Sequence, residues 1–521
     1  MAAEEELDKT DPAGPYTFVR ESGFHERLFY LWHRLGLQSN VLVSARYTSS
    51  RAGEGLTESG VFSALRETIK AHTGLAAVGV IRPGHKSGRH ILHRVMLHSI
   101  DLRSCVEFVD DEGIGAGAEF FERIHNQWYF TADEPKGPWW RVFVLGRRDV
   151  VFVFHHFVCD GRSGYDFHRT FLAALNSSNA VSKSDPEPIV RFDPEKDRMP
   201  PDVQELTDIK YSTFRVVLTY LYWIIIRLLF SKRLLFSDVP PPKPYPRMAT
   251  GRAEPSQQTV TRVAGFRLPA AKMSAITAAC RAHKTTFTPL LIIAATATLA
   301  SRVYPRAKLG FTLYPMDLRP LLPVPTTSNG VYVICNAAGG MAQVLRLSKV
   351  RSALWRALGD KKSEAGAKAL GDAEDLWVLV QRYKAHMDRE LSGPVPPAVQ
   401  AWLAGNMLGP TLEDMVEQVF PSLGLHQQNG IGFSNLGRFD PGTAGARDSA
   451  EAHDQAWKVE EVQMSACVTG GAVSYHGLAF SIAGIAGGDT VVNVAWEEGV
   501  VNREMVNDVW DGIVECINAM V

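Results

Sequence analysis

The chain lacks a large net charge and closely spaced cysteine pairs, the features that mark nucleic-acid-binding, zinc-binding and disulfide-rich proteins. Its formal net charge is only −1 over 521 residues, which gives no electrostatic case for a nucleic-acid partner. No CxxC pair occurs, which argues against a zinc site and a disulfide framework and favours a reducing compartment. The six cysteines are scattered: Cys105, Cys159, Cys280, Cys335, Cys467 and Cys516.

Motifs for phosphate binding and covalent catalysis are also missing. There is no Walker loop and no HExxH, and the serines at 163 and 434 lack the glycine spacing of a nucleophile elbow. The glycines of 113–117 superficially match a dinucleotide fingerprint, but the acidic residues 110–112 before them would repel a pyrophosphate. The sequence therefore does not indicate covalent catalysis or a permanently bound cofactor.

No targeting segment is evident at either end. The acidic N-terminus lacks the apolar core of a signal peptide, and the C-terminus carries no recognisable address. We therefore expect a cytoplasmic protein.

The longest apolar stretch, residues 214–230, is too short to favour a membrane span. Only eleven residues lie between Arg215 and Arg227, roughly 16 Å of helix, or half of a bilayer core. Basic and aromatic residues continue to 236, a composition suited to a membrane surface. We therefore expect peripheral contact through 214–236, at the endoplasmic reticulum or on lipid droplets; the alternative is a helix packed on the protein body.

Composition divides the chain into four parts: a tail at 1–22, an N-terminal lobe at 23–176, a linker at 177–258 and a C-terminal lobe at 259–521. Strands and helices alternate in both lobes, which predicts an α/β fold with mixed sheets flanked by helices. Residues 140–145 and 150–154 predict a hairpin, and Thr288 before Pro289 predicts the N-cap of a fully buried helix over 290–300.

The most informative residues, 155–161, follow the apolar strand 150–154. His155 and His156 come first, and Asp160 and Gly161 close the segment. An imidazole held at a strand end can take a proton from a hydroxyl and return it later. The alternative is a pair of core histidines.

This pattern resembles the HHxxxDG motif of the CoA-dependent acyltransferase superfamily. Three further segments support the resemblance: 138–144 before the motif, 315–320 with Arg319, and 434–437 with 496–500, which is most similar to the fungal alcohol acetyltransferase branch. The DFGWG segment of the plant branch is absent. The resemblance extends over nearly the whole chain from about residue 23.

The resemblance implies two chloramphenicol acetyltransferase-like lobes with an active-site tunnel between them. It gives His156 the catalytic place and Asp160 a bracing role, paired with Arg319, although a surface position for Arg319 stays open. Gly161 would leave room for the pantetheine arm, and His155 would be structural.

The implied reaction is transfer of an acetyl group from acetyl-CoA, or another acyl-CoA, to a hydroxylated small molecule by a monomeric enzyme. A turn at Ser434 and Asn435 is a candidate for binding the oxyanion or the substrate, with an ordinary turn as the alternative. The competing functions are condensation from a carrier-protein thioester and a non-catalytic binding protein of the same fold.

Overall fold

The structure is a computed structural model, and it describes most of the chain. The described residues are 14–83, 90–111, 113–133, 135–177, 187–202, 212–239, 253–321, 334–358, 373–393, 396–397, 399, 412–419, 422, 430–441, 456–468 and 476–521. Most of the predicted tail 1–22 and much of the predicted linker 177–258 lie outside them.

The described residues form sixteen strands: β1 Tyr16–Glu21, β2 Val41–Ser49, β3 Ala77–Pro83, β4 His90–Leu97, β5 Ser99–Asp101, β6 Val106–Val109, β7 Trp140–Leu145, β8 Asp149–Phe154, β9 Ile189–Arg191, β10 Thr261–Leu268, β11 Leu309–Asp317, β12 Ala338–Arg346, β13 Gly430–Phe439, β14 Trp457–Ala466, β15 His476–Ile485 and β16 Thr490–Glu497. The α-helices within the same ranges are α1 Phe24–Arg34, α2 Glu58–Ala71, α3 Leu102–Cys105, α4 Ala118–His125, α5 Gly161–Leu175, α6 Thr213–Phe230, α7 Ala270–Ala282, α8 Phe287–Thr298, α9 Leu347–Leu358, α10 Glu374–Glu390, α11 Leu412–Asp414 and α12 Arg503–Met520.

A five-stranded mixed sheet in the order β14-β2-β8-β7-β6 organises the first half. Its central strand β8 is buried along its whole length, which explains its continuous apolar sequence. One face packs on α5, where Phe152 stacks on Phe167 at 4.0 Å between ring centroids. The predicted hairpin is present as the antiparallel pair β7 and β8.

A six-stranded mixed sheet in the order β10-β16-β15-β13-β11-β12 organises the second half. Helix α8 packs against α9, α10 and α12, and every residue from Pro289 to Thr298 is buried, as its uniformly apolar sequence predicted. The predicted N-cap at Thr288 is wrong: Thr286 is the extended residue before the helix, which begins at Phe287. Pro289 therefore falls in the first turn, where a missing N–H costs no helical hydrogen bond.

Strand β14 crosses from the second half into the sheet of the first. It pairs antiparallel with β2, from Trp457 opposite Ser49 to Ala466 opposite Val41. The division at residue 259 therefore does not follow sheet membership, because part of 259–521 completes the N-terminal sheet. The two halves are interlocked by this strand.

The apolar stretch 214–230 lies in α6, and the residues that follow this helix pack on the second half. Leu235 and Phe236, which follow the helix, are buried in the core around α8. No single helix in the described ranges has both the length and the hydropathy needed to cross a bilayer.

Candidate active site

His156 lies in the short connection between the end of β8 and the start of α5. Its ring stacks face to face on Phe29 of α1, with ring centroids 3.7 Å apart and an interplanar angle of 5°. The Asn336 amide donates to the His156 carbonyl oxygen at 2.8 Å and lies 3.2 Å from its Nδ1. The ring is thus held on one face and along one edge.

Burial favours the neutral form of the His156 imidazole. Burial lowers its pKa to about 4, against the opposing effects of the Asp160 charge and of hydrogen bonds with the backbone of His156 and Cys159. A neutral imidazole has one nitrogen without a proton, and that nitrogen can act as a base.

Asp160 and Arg319 form a buried, bidentate ion pair, the pairing that the resemblance implies. The guanidinium donates to both carboxylate oxygens, at 2.9 and 3.0 Å, and both residues are only 2 % exposed. The alternative of a surface position for Arg319 is therefore wrong. The guanidinium also donates to the Ser163 hydroxyl and the Cys335 carbonyl, so it joins the motif to the segment before β12.

The remaining hydrogen-bonding capacity of the Asp160 carboxylate is used by the Ser163 hydroxyl and by two backbone N–H groups. It accepts from the Ser163 N–H at 3.0 Å, as the N-cap of α5, and from the Ala337 N–H at 2.8 Å. Burial raises the pKa of Asp160, but the charge and hydrogen bonds of Arg319 and these N–H groups outweigh it, so the net pKa is lowered. Asp160 is a charged brace that holds 155–160 in place.

His155 is enclosed among aromatic rings. It is 1 % exposed, and its ring lies 4.7 Å from His33 and 4.9 Å from Trp139. Its Nδ1 accepts from the Phe157 N–H at 2.9 Å. Burial, followed by the neighbouring His33 and His156, lowers its pKa well below the usual value. These contacts suit a packing role.

The segment 434–437 lies within strand β13, so the predicted turn is wrong. The strand continues to Phe439 because Gly437, at φ +72°, adopts the left-handed backbone at an irregularity in the pairing with β15. Ser434 and Asn435 therefore point to opposite faces of the strand. The Asn435 amide donates to the Thr288 hydroxyl at 2.9 Å, which ties β13 to the start of α8.

Ser434 lies on the side of the motif glycine. Its hydroxyl donates to the Met464 sulfur at 3.6 Å, and a Cβ added at Gly161 would lie 3.0 Å from the Met464 methyl and 2.9 Å from Leu436 Cδ2. The space that the resemblance assigns to the pantetheine arm is therefore bordered by the flexible ends of Met464 and Leu436. Of the two residues singled out in this segment, Ser434 is next to the motif.

Phe29, His25 and Asn336 are site residues that the sequence did not reveal. His25 and Asn336 line one small cavity with the paired charges of Glu26 and Arg94. Burial, and next the nearby His156, lower the pKa of His25 to about 3. None of the three belongs to a recognisable motif, and only the fold brings α1 and the segment before β12 to the histidine.

The site geometry can be compared with known proteins. The family model described as alcohol acetyltransferase matches residues 104–351. A probable alcohol acetyltransferase of Aspergillus fumigatus is 24 % identical, with 92 % of this chain and 95 % of the relative covered. A probable alcohol acetyltransferase of Fusarium pseudograminearum is 23 % identical, with 96 % and 95 % covered.

Solved structures share the fold. The trichothecene 15-O-acetyltransferase of Fusarium sporotrichioides superposes with a TM-score of 0.68 at 12 % identity, with 98 % of this chain and 97 % of that chain covered. The condensation domain of the Monacolin K polyketide synthase gives a TM-score of 0.53 at 13 % identity, with 97 % of each chain covered. The predicted two-lobed α/β fold is confirmed. The predicted resemblance to the fungal alcohol acetyltransferases is confirmed, and the chain is an acyltransferase.

Proposed function

We propose that the enzyme transfers an acetyl group from acetyl-CoA to a hydroxyl group of a lipophilic small molecule, with His156 as the general base. The observation that carries this proposal is the His156 ring held by Phe29 and Asn336 at the end of β8, where burial lowers its pKa. The names of the two fungal relatives support an alcohol as the acceptor and acetyl as the group transferred.

The proposed reaction requires the His156 ring proton on Nδ1, where hydrogen bonds with the backbone of His156 and Cys159 favour it. Nε2 then accepts the acceptor's hydroxyl proton while the hydroxyl oxygen attacks the thioester carbonyl carbon. The C–O bond forms, a tetrahedral oxyanion follows, and the C–S bond breaks as the imidazolium returns its proton to the departing sulfur. General base catalysis of this kind contributes about 10²–10⁴ in rate. No covalent acyl-enzyme is required.

Ser434 is the better of the two candidates for stabilising the oxyanion. Its hydroxyl lies on the side of Gly161 and bonds only weakly to the Met464 sulfur, whereas the Asn435 amide already donates to Thr288. A hydroxyl with a weak acceptor can turn to a developing negative charge at little cost.

The test is an assay of the purified protein with acetyl-CoA and a panel of alcohols, including steroid-like and terpenoid scaffolds. Free CoA release together with an ester detected by mass spectrometry is the expected result. The similarity to a condensation domain makes an acetylated carrier protein the matched alternative donor. Turnover with the carrier protein alone would favour condensation, and no turnover with either donor would favour a non-catalytic binding protein.

We further propose that the enzyme works as a monomer in the cytoplasm, in contact with the endoplasmic reticulum or lipid droplets. The six cysteines are free and buried, which is compatible with a reducing compartment. Light scattering coupled to size exclusion tests the monomer, and microscopy of the tagged full chain tests the location.

A further inference from the structure

Helix α6 presents an apolar ridge to solvent along its whole length. Phe214 and Leu229, at its two ends, are 71 % and 72 % exposed. The exposed residues recur at the spacing of one helix face: Phe214, Val217, Leu218, Leu221, Tyr222, Ile225, Leu228 and Leu229. Eighteen helical residues span about 27 Å, so the ridge is a long surface rather than an isolated side chain.

The opposite side of α6 is fixed to the protein body. Ile226 is buried against Phe311 and Leu234, and Ile224 packs with the cluster that contains Phe29. Beyond the helix, the Leu235 N–H donates to the Leu309 carbonyl. The packing of Ile224 and Ile226 on the protein body therefore fixes the helix so that the ridge faces solvent.

A second anchor, Phe236, lies three residues after Arg233, which is exposed just beyond the end of α6. Phe236 is 1 % exposed and has a φ of +55°, a left-handed conformation that is costly for an aromatic residue. Its ring fills the place where a Cβ at Gly477 would stand, at 2.5 Å. This buried aromatic fixes the direction in which the chain leaves α6.

The composition of the ridge suits contact with a lipid surface better than contact with a protein partner. Its eight exposed residues carry no charge, and Lys232 and Arg233 are exposed immediately after it. Aliphatic and aromatic side chains beside exposed cations are the arrangement of a helix that lies in the interface of an anionic bilayer. We propose that this face of α6 docks the enzyme on an anionic phospholipid surface, with the helix axis in the membrane plane.

Docking would place the lipid next to the wall of the active site. Ile224 of α6 and Phe29 of α1 pack against the same buried cluster, and the Phe29 ring stacks on His156. If the proposed transfer to lipophilic alcohols is correct, an acceptor dissolved in the membrane is presented on the α1 side of the site. This consequence rests on the proposed acetyl transfer, whereas the docking itself does not.

The test is sedimentation of the purified full chain with vesicles of phosphatidylcholine alone or with phosphatidylserine. Wild type should bind the anionic vesicles, and Leu221→Glu with Ile225→Glu should weaken binding about tenfold or more, because two charges enter the apolar face. Lys232→Glu with Arg233→Glu should remove the preference for phosphatidylserine. Trp355→Glu is the matched control, since Trp355 is 66 % exposed on another helix, and it should bind as wild type does.

Three results would overturn the docking proposal. The first is no vesicle binding by the wild type, and the second is equal vesicle binding by the wild type and the Leu221→Glu, Ile225→Glu variant. The third is a wild-type dimer that dissociates when these two residues are replaced, with no vesicle binding by either protein. His156→Ala should bind vesicles as wild type does, so loss of turnover without loss of binding separates a failure of the proposed chemistry from a failure of docking. The paired glutamate variant should keep its activity on a short, water-soluble alcohol.

Discussion

Replacing Arg319 by methionine tests the buried ion pair that holds the catalytic segment. Arg319→Met keeps the apolar stem but leaves the Asp160 carboxylate at 2 % exposure with only the Ser163 and Ala337 donors. Removing one partner of a buried pair costs about 3–5 kcal/mol, because the remaining charge stays desolvated. We expect a loss of that size in the free energy of unfolding.

The assay is urea unfolding followed by circular dichroism, with Arg302→Met as the control. Arg302 pairs with Asp508 and Glu515 while about a third of its side chain is exposed, so its removal should cost no more than about 1 kcal/mol. A similar loss in both variants would refute the assignment of Asp160 and Arg319 as the brace.

The dependence on pH gives a second readout of the same pair. In the wild type the pKa of Asp160 is lowered, so its stabilising contribution is present above the pKa of the unfolded chain and is lost only at more acidic pH. In Arg319→Met the effect of burial is less opposed, so the pKa of Asp160 should rise. The stability deficit of the variant should therefore shrink as the pH falls from neutral towards 5. A deficit that grows over this range would contradict the reasoning.

Three further predictions concern the immediate surroundings of the histidine. Asn336→Ala should lower kcat by about tenfold to a hundredfold, because the His156 ring loses its lateral support, while the KM for acyl-CoA stays unchanged. An unchanged kcat would contradict this prediction. Gly161→Ala should raise the KM for acyl-CoA and lower stability by about 1 kcal/mol, since its Cβ meets Leu436 and Met464; steady-state kinetics and thermal unfolding check both. The acid limb of kcat/KM should lie near pH 4, because protonation of His156 removes the base only there. A limb near an ordinary histidine pKa of about 6.5 would contradict the lowered pKa of His156.

Regular patterns in the sequence predicted the parts of the fold that depend on local chemistry. The apolar run of β8 and the uniformly apolar α8 are buried elements in the structure. In these two elements burial leaves a signature in the residues themselves. The Asp160–Arg319 pair, by contrast, was implied by the resemblance to the acyltransferase superfamily.

Features that depend on long-range pairing were not predictable from the sequence. Nothing in the residues of β14 shows that they pair with β2, more than four hundred positions earlier. The segment at Ser434 has turn-forming residues, but the flanking strands of the second sheet extend it. Asn336 and Phe29 belong to no motif, and their roles arise only from contacts with His156.

The central claim is that His156 is the base of a direct transfer, and His156→Ala tests it most directly. Purified variant and wild type would be compared for acetyl-CoA binding by calorimetry, for thermal unfolding, and for CoA release in the presence of an accepted alcohol. The account predicts a folded variant that binds acetyl-CoA as wild type does and loses about 10²–10⁴ in rate. Undiminished ester formation by the variant would contradict it.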